Sequence, residues 1–213
     1  MAGRRRESKR EELKMRIVDT AAQAFKRLGI KAVHMDDIAG ALSISKRTLY
    51  ELFGDKEQLL LEVFSFYRQR VNQDMQELTS RADNVLEVVL TFYERKVNEL
   101  CQVNPLFFRD LRKYPKVLDF IHEEQRRNDA DAVKYFQKGV KQGIFRDDIN
   151  FMIINQTMAM QMDLLIYSDI TLHYPLAEIY SEITILHMRG ITTEKGNRMV
   201  DEFLKNIRKK RQG

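Results

Sequence analysis

Six residues between positions 45 and 56 carry groups suited to holding a polyanion: Ser45, Lys46, Arg47, Thr48, Tyr50 and Lys56. Their chemistry is recognition, not bond making. A guanidinium such as that of Arg47 can grip the major-groove edge of guanine through two hydrogen bonds. Thr48 can meet a phosphate or a thymine methyl, and Tyr50 offers a phenolic hydroxyl further along. Lys56 would bring its charge to the free N–H groups of a helix start, where a phosphate is held readily. The same residue types also occur as solvated cations and as a half-buried core aromatic. The deciding question is therefore what positions them.

Residues 34–56 answer it with two very short helices around a tight turn. Asp36 and Asp37 suit a helix N-terminus, where the dipole favours negative charge. Ile38, Ala39 and Leu42 give that helix a buried side, and small Ala39 lets a second helix approach closely. After the turn at Ser43–Ile44, Ser45 is the expected N-cap of a helix carrying Lys46 to Tyr50. Leu49, Leu52 and Phe53 point it at a core, and Gly54 closes it. Asp55 with Gln58 then reads as a capping box opening a fourth helix that runs to about Thr79. Helices this short do not persist alone. The pair must be braced from behind, which leaves its outer face free for the major groove of double-stranded DNA.

Leu13, Ile17, Ala21, Phe25 and Leu28, spaced by four, four, four and three, form the apolar stripe of a first helix that stops at Gly29. A charged, disordered arm is expected before it, to about Glu7; Arg4, Arg5 and Arg6 suit a minor groove or a solubilising tail equally. The series Ile38-Ala39-x-x-Leu42-Ser43-Ile44-Ser45-x-x-Thr48-Leu49-Tyr50-x-x-Phe53-x-x-Lys56, preceded by Ala21-Ala22-x-x-Phe25-x-x-x-Gly29, resembles the DNA-binding signature of the tetracycline-repressor (TetR) family over residues 12–62. The resemblance implies that Tyr50 and Lys56 contact phosphate and that Lys46, Arg47 and Thr48 line the groove. Two positions depart from the pattern. Ser43 stands where glycine is common in the turn, which predicts an uncomfortable backbone there. Arg47 stands where a small residue is common, which points to a distinct operator.

Charge agrees with this placement. The chain of 213 residues has a net charge of +5, yet residues 1–50 alone carry +6, from 12 Lys and Arg against 6 Asp and Glu. A solvated basic tail would carry the same excess. The lone Cys101 excludes an intramolecular disulfide, and the basic start leads into Glu7, Glu11 and Glu12, unlike a secretory leader. No run approaches the roughly 18–20 apolar residues of a membrane span. A cytoplasmic protein without membrane contact is expected.

Downstream, helical spacing continues and strand signals are nearly absent. Helices are expected over 84–101, from Asn104-Pro105, over 115–143, from Asp147 and Asp148 to Tyr167, from Pro175 to Gly190, and from Thr193 onward. The chain thus reads as all-α: an arm and helix-turn-helix domain over 1–54, a connecting helix over 55–80, and a second helical domain over 81–213. The resemblance implies that the second domain binds a ligand and dimerises. Phe151–Tyr167 is apolar nearly all round, so it can face a core on one side and a second subunit on the other, with the helix bearing Leu176, Ile179, Ile183 and Leu186 beside it. Single-chain core would give the same pattern. Phe92, Tyr93, Phe107 and Met160 are candidate pocket walls for a small-molecule effector, largely apolar, with Gln125 and Gln156 as polar handles. Aromatics at helical spacing also occur as plain core.

No phosphate loop, His-Glu-x-x-His, nucleophile elbow or dinucleotide turn is present in the sequence. No catalytic residue, metal ligand or cofactor is expected. The reading is a homodimeric, ligand-responsive regulator, most often a repressor, on a palindromic operator. The alternative is a helix-turn-helix factor with no small ligand, in an architectural or division role.

Overall fold

The regular elements of the described chain are helices, as apolar spacings of three and four require. The structure, a computed structural model, describes the backbone of residues 2–127 and 129–212 and the side chains of 7–127 and 131–209. The helices are α1 (Ala2–Leu28), α2 (Met35–Ala41), α3 (Lys46–Phe53), α4 (Lys56–Arg81), α5 (Val85–Leu100), α6 (Leu106–Leu111), α7 (Pro115–Arg127), α8 (Asp129–Lys141), α9 (Phe151–Tyr167), α10 (Leu176–Ile191) and α11 (Glu194–Gln212). A 3-10 turn, Ile170–Leu172, precedes α10. Among the described residues, no helix is long and apolar enough to cross a membrane.

Two compact units divide the chain. The first holds residues up to Asn72 together with Gln102–Glu123; the second holds Gln73–Cys101 and the residues from Glu124 onward. The division falls inside α4. Residues 102–123, which the sequence places with the second domain, pack instead among the helix-turn-helix elements.

In the first unit, Ile17, Ala21 and Phe25 of α1 are fully buried, as their spacing predicts. Leu28 leaves the stripe and is 45% exposed, because the chain turns at Gly29. That residue has φ +85°, a conformation glycine adopts without penalty. Ile38, Leu49, Leu59 and Leu60 bring α2, α3 and the start of α4 onto the same core. From α6, Phe107 stacks on Phe64 with centroids 6.1 Å apart and meets Phe108 edge-on at 5.3 Å. Each such side chain contributes about 1.5–3 kcal/mol when fully buried.

The second unit centres on three phenylalanines. Phe136 stacks on Phe151 at 5.1 Å, and Phe145 sits 5.6 Å from the first and 6.2 Å from the second. Gly139 makes room for this: a Cβ there would lie 2.2 Å from Cδ2 of Phe145. A second cluster joins Tyr93 and Val97 of α5 to Ile207 of α11.

Three expectations need revision. Helix α1 begins at Ala2, so the expected arm is helical along its backbone; the side chains of Arg4, Arg5 and Arg6 lie outside the described residues. The helix expected over 115–143 is α7 and α8, on either side of Asn128, which is also outside them. The cap of α9 is Asn150, whose Oδ1 accepts the Ile153 N–H at 3.3 Å. Asp148 is drawn away by Arg146, which holds both its oxygens at 2.9 and 2.6 Å. That pairing lowers the carboxyl's pKa and raises the guanidinium's.

Candidate nucleic-acid interface

Helices α2 and α3 have seven and eight residues and depend on their ends. His34 precedes α2, and its N–H is held by Asp37 Oδ2 at 2.7 Å. The helix closes with Ser43 N–H on Gly40 O at 3.1 Å and Ile44 N–H on Ala39 O at 3.0 Å. This double closure requires a left-handed residue, and Ser43 supplies it with φ +55°. The discomfort expected at this serine is therefore present. Ser45 then caps α3, its Oγ accepting the Thr48 N–H at 3.0 Å and lying 2.8 Å from Thr48 Oγ1. Both hydroxyls are thus engaged in the cap.

Leu49 and Phe53 anchor α3 to the core, and Ile38 and Ala39 brace it from α2. The opposite edge presents Lys46, Arg47, Tyr50 and Glu51 to solvent, with Tyr50 46% exposed and not part of the core. The two cations are held by carboxylates. Lys46 pairs with Asp36 of α2, a hydrogen bond that raises its pKa. Arg47 Nε donates to Glu51 Oε1 at 2.7 Å, one turn along. Exposed pairs of this kind stabilise little, so a phosphate or a base edge can replace the carboxylate. The Arg47–Glu51 spacing of four was readable in the sequence. The Lys46–Asp36 pair crosses the turn and was not.

Lys56, expected to face phosphate, turns inward. Its ammonium donates to the carbonyls of Ile30 and Val33. The physical reason is that the end of α1 and its turn, far back in the chain, offer carbonyls that need donors.

The six pocket candidates are divided between the two units. Phe107 belongs to the first unit and the other five to the second. Tyr93 is buried, with its hydroxyl 2.6 Å from Ser181 Oγ. Phe92 is half-buried, as is Gln125, whose Nε2 donates to Ala159 O at 3.4 Å. Gln156 and Met160 lie on the exposed face of α9 beside Ile153, Met160 being 61% exposed. Sequence reading missed two buried polar atoms that have no hydrogen-bond partner among the described residues, Gln161 Nε2 on α9 and Thr184 Oγ1 on α10. A polar residue inside an apolar helix run was the available signal.

A capped pair of short helices, the second presenting two cations and a phenol on one braced edge, is the reading head of a helix-turn-helix transcriptional regulator. Residues 17–63 match the family described as bacterial regulatory proteins, tetR family. By that match, residues 17–63 form a TetR-family domain. It is 28% identical over 150 residues to the HTH-type transcriptional repressor KstR2 of Mycolicibacterium smegmatis, covering 67% of this chain and 70% of that one. It is 32% identical over 78 residues to the uncharacterized HTH-type transcriptional regulator YhgD of Bacillus subtilis, and this match spans 37% of either chain. Among solved structures, a TetR-family regulator from Agrobacterium tumefaciens shares the fold, with a TM-score of 0.67 at 17% identity over 86% of this chain and all of that one.

Proposed function

We propose that the chain is a homodimeric transcriptional repressor that binds a palindromic DNA operator through α3 and leaves it when a small, largely apolar effector binds. The observation that carries the DNA part is the outward edge of α3, with Arg47, Lys46 and Tyr50 exposed on a helix fixed from behind by Leu49 and Phe53. Arg47 and Lys46 are the base readers and Tyr50 the phosphate contact. Ser45 and Thr48 hold the start of the helix, where they can still approach the backbone of DNA. Repression is supported by the name of the KstR2 relative, itself a repressor.

Self-association is supported by an apolar face left open on α9 and α10. Ile153, Met160 and Leu186 are exposed there, Leu186 at 73%. A two-fold pairing of that face would give the two reading heads that a palindrome needs. Effector binding is supported by Gln161 Nε2 and Thr184 Oγ1. An unpartnered buried polar group costs about 1–3 kcal/mol, a cost that an effector bearing a matching polar atom would relieve. Such an effector lowers DNA affinity only if it binds the DNA-free state more tightly.

The test is a gel shift on a duplex selected from a random pool by the wild-type chain. Arg47→Ala with Tyr50→Ala abolishes the specific shift while circular dichroism stays helical. Unchanged binding by the folded double variant removes α3 as the reading helix.

A further inference from the structure

The turn between α1 and α2, Gly29–Val33, is gripped from two sides. From α4 comes Lys56, whose ammonium donates to Ile30 O and Val33 O and lies 5.7 Å from the centre of the Phe25 ring. From α6 comes Asp110, only 8% exposed, whose Oδ2 accepts the Lys31 N–H at 2.6 Å. Burial pulls the Lys56 pKa below the usual lysine range, and the charge of Asp110 works against that pull. The approach of α6 is close: a Cβ on Gly29 would lie 3.0 Å from Leu106 Cβ and 3.4 Å from Asp110 Oδ2. Asn104 extends the grip, donating its N–H to Lys26 O at 2.8 Å and its Nδ2 to Arg27 O at 3.3 Å.

We propose that Lys56 and Asp110 are a positioning pair that sets the pose of α2 and α3 on DNA, and that Lys56 itself makes no phosphate contact. The inference rests on the DNA reading proposed above. Helix α2 starts two residues after Val33, so its direction follows the turn, and α3 is braced on α2. To reach a phosphate, Lys56 would have to leave both carbonyls and uncover a charge opposite buried Asp110. Asp110 lies 79 residues from Lys31 in sequence, yet through this turn it acts on the reading helix.

Three roles give three results in a salt titration of binding to the selected duplex and to a scrambled duplex of equal length. A lost phosphate contact weakens both duplexes alike and reduces the slope of log K against log salt by about 0.9. A lost positioning group leaves the slope alone and weakens the selected duplex by roughly tenfold, the effect of about one mismatched base pair, with the scrambled duplex unchanged. A merely structural group lowers Tm and changes neither affinity below the melt. Lys56→Met and Asp110→Ala are both expected to give the second result, and Asp110→Asn, which keeps an acceptor for Lys31 N–H, to recover most of the loss. Should Lys56→Met fail to fold, Asp110→Ala carries the test. A reduced slope for Lys56→Met, or wild-type affinity for both duplexes in Asp110→Ala, overturns the proposal. A wild-type chain that selects no duplex overturns the DNA reading itself, which is a separate failure.

Discussion

Replacing Ser43 by glycine should stabilise the protein, and the size of the gain follows from one angle. Ser43 holds φ +55° to close α2. A side chain in that region costs about 1–2 kcal/mol relative to the right-handed form. Glycine removes the cost but gives the unfolded chain more freedom, which takes back about 0.4–1 kcal/mol. The net gain is about 0–1.6 kcal/mol, with a midpoint near 0.8. For a chain of this size that raises Tm by about 2–3 °C. Ser43 is exposed, so no packing changes with it. Circular dichroism melts of Ser43→Gly, wild type and Ser43→Val form a series, because a β-branched residue suits positive φ least. Tm should fall in the order glycine, serine, valine. DNA affinity of the glycine variant should stay within about twofold at low temperature, since the turn keeps its shape. A glycine variant that melts below wild type, or a valine variant that matches it, refutes the claim that backbone strain at residue 43 limits this turn.

Three further outcomes are expected. Gly139→Ala drives a methyl into the Phe145 ring, 2.2 Å from Cδ2, and should cost about 1–3 kcal/mol as an overpacking change. Gly40→Ala, with open space around its Cβ, should instead gain about 0.5–1 kcal/mol; equal melting shifts for the two would contradict the packing described. Met160→Glu with Leu186→Glu should halve the mass seen by light scattering, from a dimer of 25.2 kDa subunits to one subunit, and weaken specific DNA binding. A wild type already monomeric at micromolar concentration would sink the dimer reading.

The parts of the fold legible in the sequence were those fixed by near neighbours. Ser45 and Asp55 each accept a backbone N–H three residues on, as their reading as caps predicted, and Asn84 and Thr193 do the same at the starts of α5 and α11. The inward set Ile17, Ala21, Phe25, Leu49 and Phe53 was equally local. What escaped was settled at a distance. Lys56 faces inward because carbonyls 26 and 23 residues back lie within its reach. The membership of α6 depends on contacts such as Asp110 to Lys31, which no period encodes. Met160, read as a pocket wall, and Gln156, read as a polar handle, lie on the exposed side of α9, and a helix without a polar face does not say which side looks outward.

The split make-up of the first unit bears on how the protein is made. Every residue of the reading helices has left the ribosome's catalytic centre by Asn72, but Phe107, Asp110 and Glu123 have not. At about 5–20 residues per second, the missing segment follows roughly 3–10 s later. Until then the Gly29–Val33 turn lacks its anionic partner and the core lacks Phe107 and Phe108. A fragment cut at Asn72 would be frozen at that stage, with the full reading sequence but without the groups that seat it. DNA recognition in this chain matures late in synthesis, after the stretch Gln73–Cys101 has already passed.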